Sequence, residues 1–211
     1  MLTVTTVIGI LASVTVPTLI SRRVAANESA VVATMRAVSQ AQFQFQASGY
    51  VDANNDSGFE FGSFGELGGL DLLRGTTERV TKPLLSASLA KTDVDGHATL
   101  HGYLFSLFLP DGSGKGVVAT ATNMPSIDPF QARDYWTCLA WPIKVGTTGN
   151  RSFFVNQHGQ VLKTKKAFYS GKVSVPPAGA GLVGVGKDQI NGTSLATNSV
   201  GADGQFWIMV H

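Results

Sequence analysis

Asp52, Asn54, Asp56 and Glu60 stand within the loop-like run Val51 to Glu60. They occupy the first, third, fifth and ninth places of a loop in which alternate residues turn hard oxygen ligands inward, as calcium requires. Two features depart from that arrangement. The glycine expected at the sixth place is displaced to Gly58, with Ser57 in its stead. The twelfth place, where a bidentate acid belongs, holds Ser63, with Glu66 three residues further on. The competing reading is an Asx-rich turn whose oxygens accept backbone N–H groups. Calcium on these four residues is the one cofactor the sequence offers as a candidate.

Other chemistry-bearing spacings fare worse. Gly181 to Lys187 fits G-x-x-x-x-G-K, but Asp188 stands where Ser or Thr should meet magnesium, and no strand and helix flank the loop, so no nucleotide site is expected. His97 and His101 are four apart, just after Asp93 and Asp95. Asp95-Gly96 predicts a turn and then a strand, on which residues four apart lie about 13 Å from one another, too far for one metal. Both are expected as solvated turn histidines. Cys138 is the sole cysteine and forms no internal disulfide; between Trp136 and Trp141 it is expected to fill core volume. No enzymatic constellation emerges.

These groups must be positioned by what precedes and follows them. Met1 to Ile20 carries no charged residue or histidine, and as a helix it spans roughly 30 Å, enough to cross a bilayer. Its central stretch, Val7, Ile8, Gly9, Ile10, Leu11, Ala12, Val14, Val16 and Pro17, is the membrane-inserting candidate. Pro17 removes a backbone donor and predicts a bend near Ser13 to Val16. Ser21-Arg22-Arg23 follows instead of a small-residue cleavage site, so a cleaved signal peptide is not expected. Val24, Val31, Met35, Val38 and Phe45 recur at 7, 4, 3 and 7, one helical stripe facing a core. Asn27, Glu28, Arg36 and Gln40 are expected to face away. Ala25, Ala26, Ala30, Ala33, Ala37 and Ala41 are small enough for a neighbour to approach closely. Residues 2 to about 46 thus predict one bent rod of roughly 65–70 Å, apolar all round over 1–20 and on one side over 21–47.

The run from Ile8 to Phe45 resembles the N-terminal helix of type IV pilins and of the pseudopilins of type II secretion. Ile8 to Ala12 and Pro17 match that family's I-G-I-L-A and following proline in type and spacing, and an Ala-rich helix follows in both. The family begins with a basic leader cut before a start such as F-T-L-I-E. Laid on that pattern, the glutamate falls immediately before Met1, so a leader and start upstream in frame are expected, and no residue within the chain replaces the glutamate. The resemblance implies self-association through N-terminal helices, processing by a prepilin peptidase, and storage in the inner membrane with the globular domain periplasmic. Arg22 and Arg23 alone would orient that domain to the cytoplasm, so the expected topology depends on a basic leader.

Beyond the rod, residues 48–211 predict one globular domain of ordinary size. Of the 211 residues 14% are charged, 16 basic against 14 acidic, which makes nucleic acid an unexpected partner. Gly49 suits a helix cap. Short helices are expected within 63–75 and 80–90, then strands at 101–110, 116–121, 135–145, 151–156, 161–164 and 203–210. Residues 165–203, rich in Gly, Ser, Ala, Val and Pro, predict a long surface excursion. The fold class is therefore α+β, a long bent N-terminal helix packed by its C-terminal half on an antiparallel sheet, pilin-like in plan. The function expected is a structural subunit of a pilus-like or pseudopilus filament; the alternative is a membrane-tethered ligand-binding or enzymatic domain for which the helix is only an anchor.

Overall fold

A computed structural model describes the backbone of residues 2–210 and the side chains of residues 19–210. Helix α1, Leu2–Ala47, is one element of 46 residues that continues through Pro17, or about 69 Å at 1.5 Å per residue. The side chains of Val7, Ile8, Gly9, Ile10, Leu11, Ala12, Val14, Val16 and Pro17 lie outside the described residues.

Among the described side chains, packing begins at Val24. From there Val31, Met35, Val38, Ala41 and Phe45 are buried, the stripe expected from their spacing with Ala41 drawn into it. Gln42, also buried, donates from Nε2 to the Gly62 carbonyl at 2.7 Å and accepts the Gly62 N–H on Oε1 at 2.9 Å, so the apolar seam contains a satisfied amide pair. Gly49, at φ +67°, closes the helix.

The domain carries eight strands: β1 His97–Leu100, β2 Tyr103–Pro110, β3 Gly116–Val118, β4 Thr137–Pro142, β5 Phe153–Asn156, β6 Leu162–Thr164, β7 Ser199–Val200 and β8 Phe206–Met209. They form one antiparallel sheet in the order β1-β2-β4-β5-β6-β8-β7, with β3 on the far end of β2. Helices α2 (Phe64–Leu67), α3 (Ala87–Ala90) and α4 (Pro129–Ala132) are single turns. The architecture is α+β. The strand expected from His101 begins instead at Tyr103. His101 and Gly102, at φ +51° and +73°, make the turn that pairs β2 with β1.

Every residue of β2 and of β4 is buried, because the sheet is covered on both faces. On one face Phe105, Leu107, Cys138, Phe153 and Val155 meet the stripe of α1. On the other, Leu104, Phe108, Leu139, Trp141, Phe154 and Trp207 meet Tyr169, Ala178, Ala180, Leu182, Ile190 and Ala196. Within 165–203, Ser199–Val200 joins the sheet as β7, and residues 165–198 are a packed third layer rather than a surface excursion. Its lack of periodicity has a physical reason: it is coil, held point by point by backbone bonds such as Gly179 N–H to the Lys187 carbonyl and Ala196 N–H to the Gly181 carbonyl. Gly181 lies so close to the Phe154 ring that a Cβ there would stand 2.5 Å from it.

Candidate functional site

The acidic loop spends its oxygens on its own backbone. Asp52 accepts the Asp56 N–H at 3.1 Å and the Ser57 N–H at 3.0 Å on its two oxygens. Asp56 accepts the Gly58 N–H at 2.7 Å, and its other oxygen receives Asn54 Nδ2 at 2.9 Å and Arg133 Nη1 at 3.4 Å. Asn55 and Ser57 take positive φ. This is the Asx-rich turn. Among the described residues no three acid, His or Cys side chains are grouped so as to hold a metal ion; of the four calcium candidates, Asp52, Asn54 and Asp56 bond within the loop and Glu60 turns away from it.

Glu60 turns inward instead and is fully buried. Its Oε1 accepts the Ala53 N–H at 2.9 Å. Its Oε2 has no hydrogen-bond partner and lies 3.7 Å from Arg74 Nη1. Ser63 and Glu66 open α2 as a capping box: the Ser63 hydroxyl accepts the Glu66 N–H at 3.1 Å, and Glu66 Oε2 accepts the Ser63 N–H at 2.8 Å. The other Glu66 oxygen receives Arg74 N–H at 3.0 Å and Arg74 Nε at 3.1 Å, while Arg74 Nη2 donates to the Phe61 carbonyl. Two buried carboxylates therefore share one guanidinium. Burial pushes the Glu60 carboxyl above its ordinary range, against the Ala53 N–H and the Arg74 charge that favour ionisation. The sequence signal for half of this cluster was the S-x-x-E spacing of Ser63 and Glu66; nothing local announced that Arg74 closes back on both acids.

Glu66 and Arg74 also line a cleft of about 660 Å³, with Leu70, Leu72, Met124 and Ile127 supplying apolar walls. A cleft of that size is in the range of small-ligand sites.

The remaining candidates are dispersed. His97 is buried, not solvated. Its Nδ1 lies 3.1 Å from Ser106 Oγ, its ring meets Trp141 edge-on at 5.2 Å, and burial lowers its proton affinity against the pull of Asp93 and Asp95. His101 is exposed in the β1–β2 turn, as its position suggested. Gly181 to Asp188 is irregular chain of the third layer without a helix after it. Cys138 is buried against α1, and burial pushes its thiol up.

On α1, Ala25, Ala26, Ala33 and Ala37 are exposed and Ala30 is half-buried; Leu19 and Ile20 are 59% and 40% exposed. Arg36 and Gln40 face away, as their positions suggested. Asn27 and Glu28 do not: Asn27 Nδ2 donates to the Thr148 carbonyl at 2.8 Å, and Glu28 accepts the Asn150 N–H at 2.9 Å. They clamp the loop between β4 and β5 to the helix. Among the described residues no helix is long and apolar enough to cross a membrane, and of the run Met1 to Ile20 only Leu19 and Ile20 have described side chains.

These elements define an α+β domain built onto a single N-terminal helix. The chain belongs to DUF2950, a family of proteins of unknown function, whose model matches residues 13–167. The match takes in the packed half of α1 and the sheet through β6, and ends before most of the third layer. No curated protein and no solved structure matches the chain.

Proposed function

We propose that the protein is a structural subunit of a helical filament of the type IV pilus or type II secretion pseudopilus kind. The observation that carries this reading is α1 itself: one uninterrupted helix of 46 residues that presents a buried stripe from Val24 to Phe45 to the domain. The second half of the rod is therefore committed to the domain, and the sequence before it is apolar, with Ile8 to Ala12 and Pro17 at pilin spacing. Ala26, Ala30, Ala33 and Ala37, spaced 4, 3 and 4, continue along the side of α1 away from Val31 and Met35. Small residues at helical spacing let rods approach closely. Before assembly the first half of the rod would rest in the inner membrane with the domain periplasmic. Transfer into the filament exchanges one apolar surrounding for another at little cost. The partners are further copies of the chain, a prepilin peptidase and an assembly machine.

The second reading, a membrane-tethered ligand-binding domain, is favoured by the 660 Å³ cleft beside Arg74. One experiment separates them: expression of the complete coding region with a prepilin peptidase and assembly machinery, followed by electron microscopy. Filaments that disappear with Ala33→Arg, a change on an exposed helix position, support the subunit. A chain that remains dispersed under those conditions overturns it in favour of the tether.

A further inference from the structure

The domain is engaged within a few residues of the end of the apolar run. Met1 to Ile20 is uncharged; Leu19 to Arg23 are exposed, Val24 is buried, and Asn27 already holds the Thr148 carbonyl. Arg23 and Asn27 are about 6 Å apart along α1 at 1.5 Å per residue. The helix runs through without a linker. A bilayer that took up the apolar run would therefore bring its headgroups against the end of the domain that Asn27 marks.

Strand register shows which residues form that end. β4 finishes at Pro142, opposite Tyr103 at the start of β2, and the Ile143 N–H bonds the Gly102 carbonyl at 3.0 Å. Asn27 and Glu28 hold the connection that follows, at Thr148 and Asn150. β6 finishes beside it: the Thr164 N–H bonds the Ser152 carbonyl, and the Lys165 N–H bonds the Phe206 carbonyl, each at 2.9 Å. Lys144, Lys165 and Lys166 thus join Arg22 and Arg23 at one end of the molecule, all five exposed.

Charge there is nearly of one sign. None of the five has an acid partner among the described residues. Glu28 is offset by Arg151, 4.0 Å away. Asp203 is spent internally, accepting the Tyr169 hydroxyl at 2.6 Å, the Gln205 N–H at 2.9 Å and Trp207 Nε1 at 3.1 Å. Five positive charges therefore stand against the one of Asp203. Asp93 and Asp95, paired with Lys172, lie further up the sheet, where Gly96 packs under the Val118 side chain opposite Phe108. Exposed Ile143, Phe168 and Phe206 sit among the lysines, and Lys165 Nζ lies 5.4 Å over the Phe206 ring. Long-stemmed cations beside apolar side chains suit the headgroup level of a membrane.

We propose that this end of the domain is a lipid-binding surface that lies on the anionic headgroups of the membrane holding the rod. The rod itself delivers this occupant: any bilayer that takes the apolar run meets Lys144, Lys165 and Lys166 at close range. Lipid phosphates match the excess of positive charge, and cations within about 8–10 Å of such a surface are only weakly screened. The proposal rests on the membrane-held rod that both functional readings share, and adds the lipid charge that the domain selects.

A fluorophore on Ala167→Cys, an exposed position between Lys166 and Phe168, tests this in the full chain, because the native Cys138 is buried and stays unlabelled. The chain is reconstituted into phosphatidylcholine vesicles with or without phosphatidylglycerol as one lipid in three. With the anionic lipid, quenching of the label by acrylamide should fall by about threefold or more. High salt, or replacement of Lys144, Lys165 and Lys166 by Gln, should restore it, and the triple variant should keep its thermal transition. A label on Ser113→Cys, in the turn beyond the far end of β2, should be quenched alike in both vesicles. A chain that floats with the vesicles while its Ala167→Cys label stays equally quenched overturns the contact and leaves the membrane-held rod standing. Shielding that needs no phosphatidylglycerol, or that grows with the protein-to-lipid ratio as contact with a second copy would, also overturns it. A chain that floats with neither vesicle removes rod anchoring and contact together.

Discussion

Met35 Sδ lies 3.8 Å from Cys138 Sγ where α1 meets β4, both side chains fully enclosed. The contact ties the middle of the rod to the middle of the sheet, and polarizable sulfur suits an irregular seam.

Met35→Ala should therefore open a cavity that neither the helix nor the sheet can collapse to fill. A loss of about 2–5 kcal/mol is expected. Denaturant titration should show a lower midpoint with an unchanged slope. A thiol reagent should label Cys138 only after unfolding, since the thiol is enclosed and its ionisation is suppressed.

Arg74→Ala should be among the most damaging single changes in the domain. It leaves Glu60 and Glu66 buried without a counter-charge, and breaking a buried pair from one side costs about 3–5 kcal/mol. Arg74→Lys should recover little, because one ammonium cannot serve Glu66, the Phe61 carbonyl and Glu60 together. Thermal denaturation of the two variants beside the parent decides this.

Glu60 sets a pH dependence of definite sign. Its folded-state proton affinity is raised above the ordinary value near 4.5, so the folded chain holds a proton that the unfolded chain releases. The associated stability is fully present below about pH 4.5 and is lost as pH rises through the folded value. Glu60→Gln should remove that decline and gain relative to the parent as pH rises above about 4.5. Equal slopes for the two proteins across that range contradict the assignment.

Asp56 should act on stability without calcium. Asp56→Ala frees the Gly58 N–H and Arg133 from their acceptor, at an expected cost of about 1 kcal/mol. Adding millimolar calcium or a chelator should leave the Tm of both proteins unchanged. A calcium-dependent rise lost in the variant would restore the metal reading of the loop.

What could be read from the chain alone follows the range of the forces involved. The stripe from Val24 to Phe45 was legible because a helix repeats its burial every 3.6 residues. The hairpins of β2 with β3 and of β5 with β6 were legible because Gly112-to-Gly114 and His158-Gly159 mark turns between β-rich runs. Asn27 and Glu28 were misjudged because their partners, Thr148 and Asn150, stand about 120 residues away. His97 was misjudged for a related reason: its burial depends on Trp141 from another strand. Ser63 and Glu66 were weighed as failed calcium positions, while their bonds serve a helix start and Arg74. The third layer escaped notice because coil that packs has no period to detect.

The unbroken run of α1 from the rod into the core has a mechanical consequence. A tension applied at its N-terminal end reaches the sheet through no linker, and the stripe from Val24 to Phe45 bears it in shear, many contacts yielding together instead of one after another. The amide clasp of Gln42 on Gly62 stands within that stripe, so its two hydrogen bonds share the load with the apolar contacts on either side.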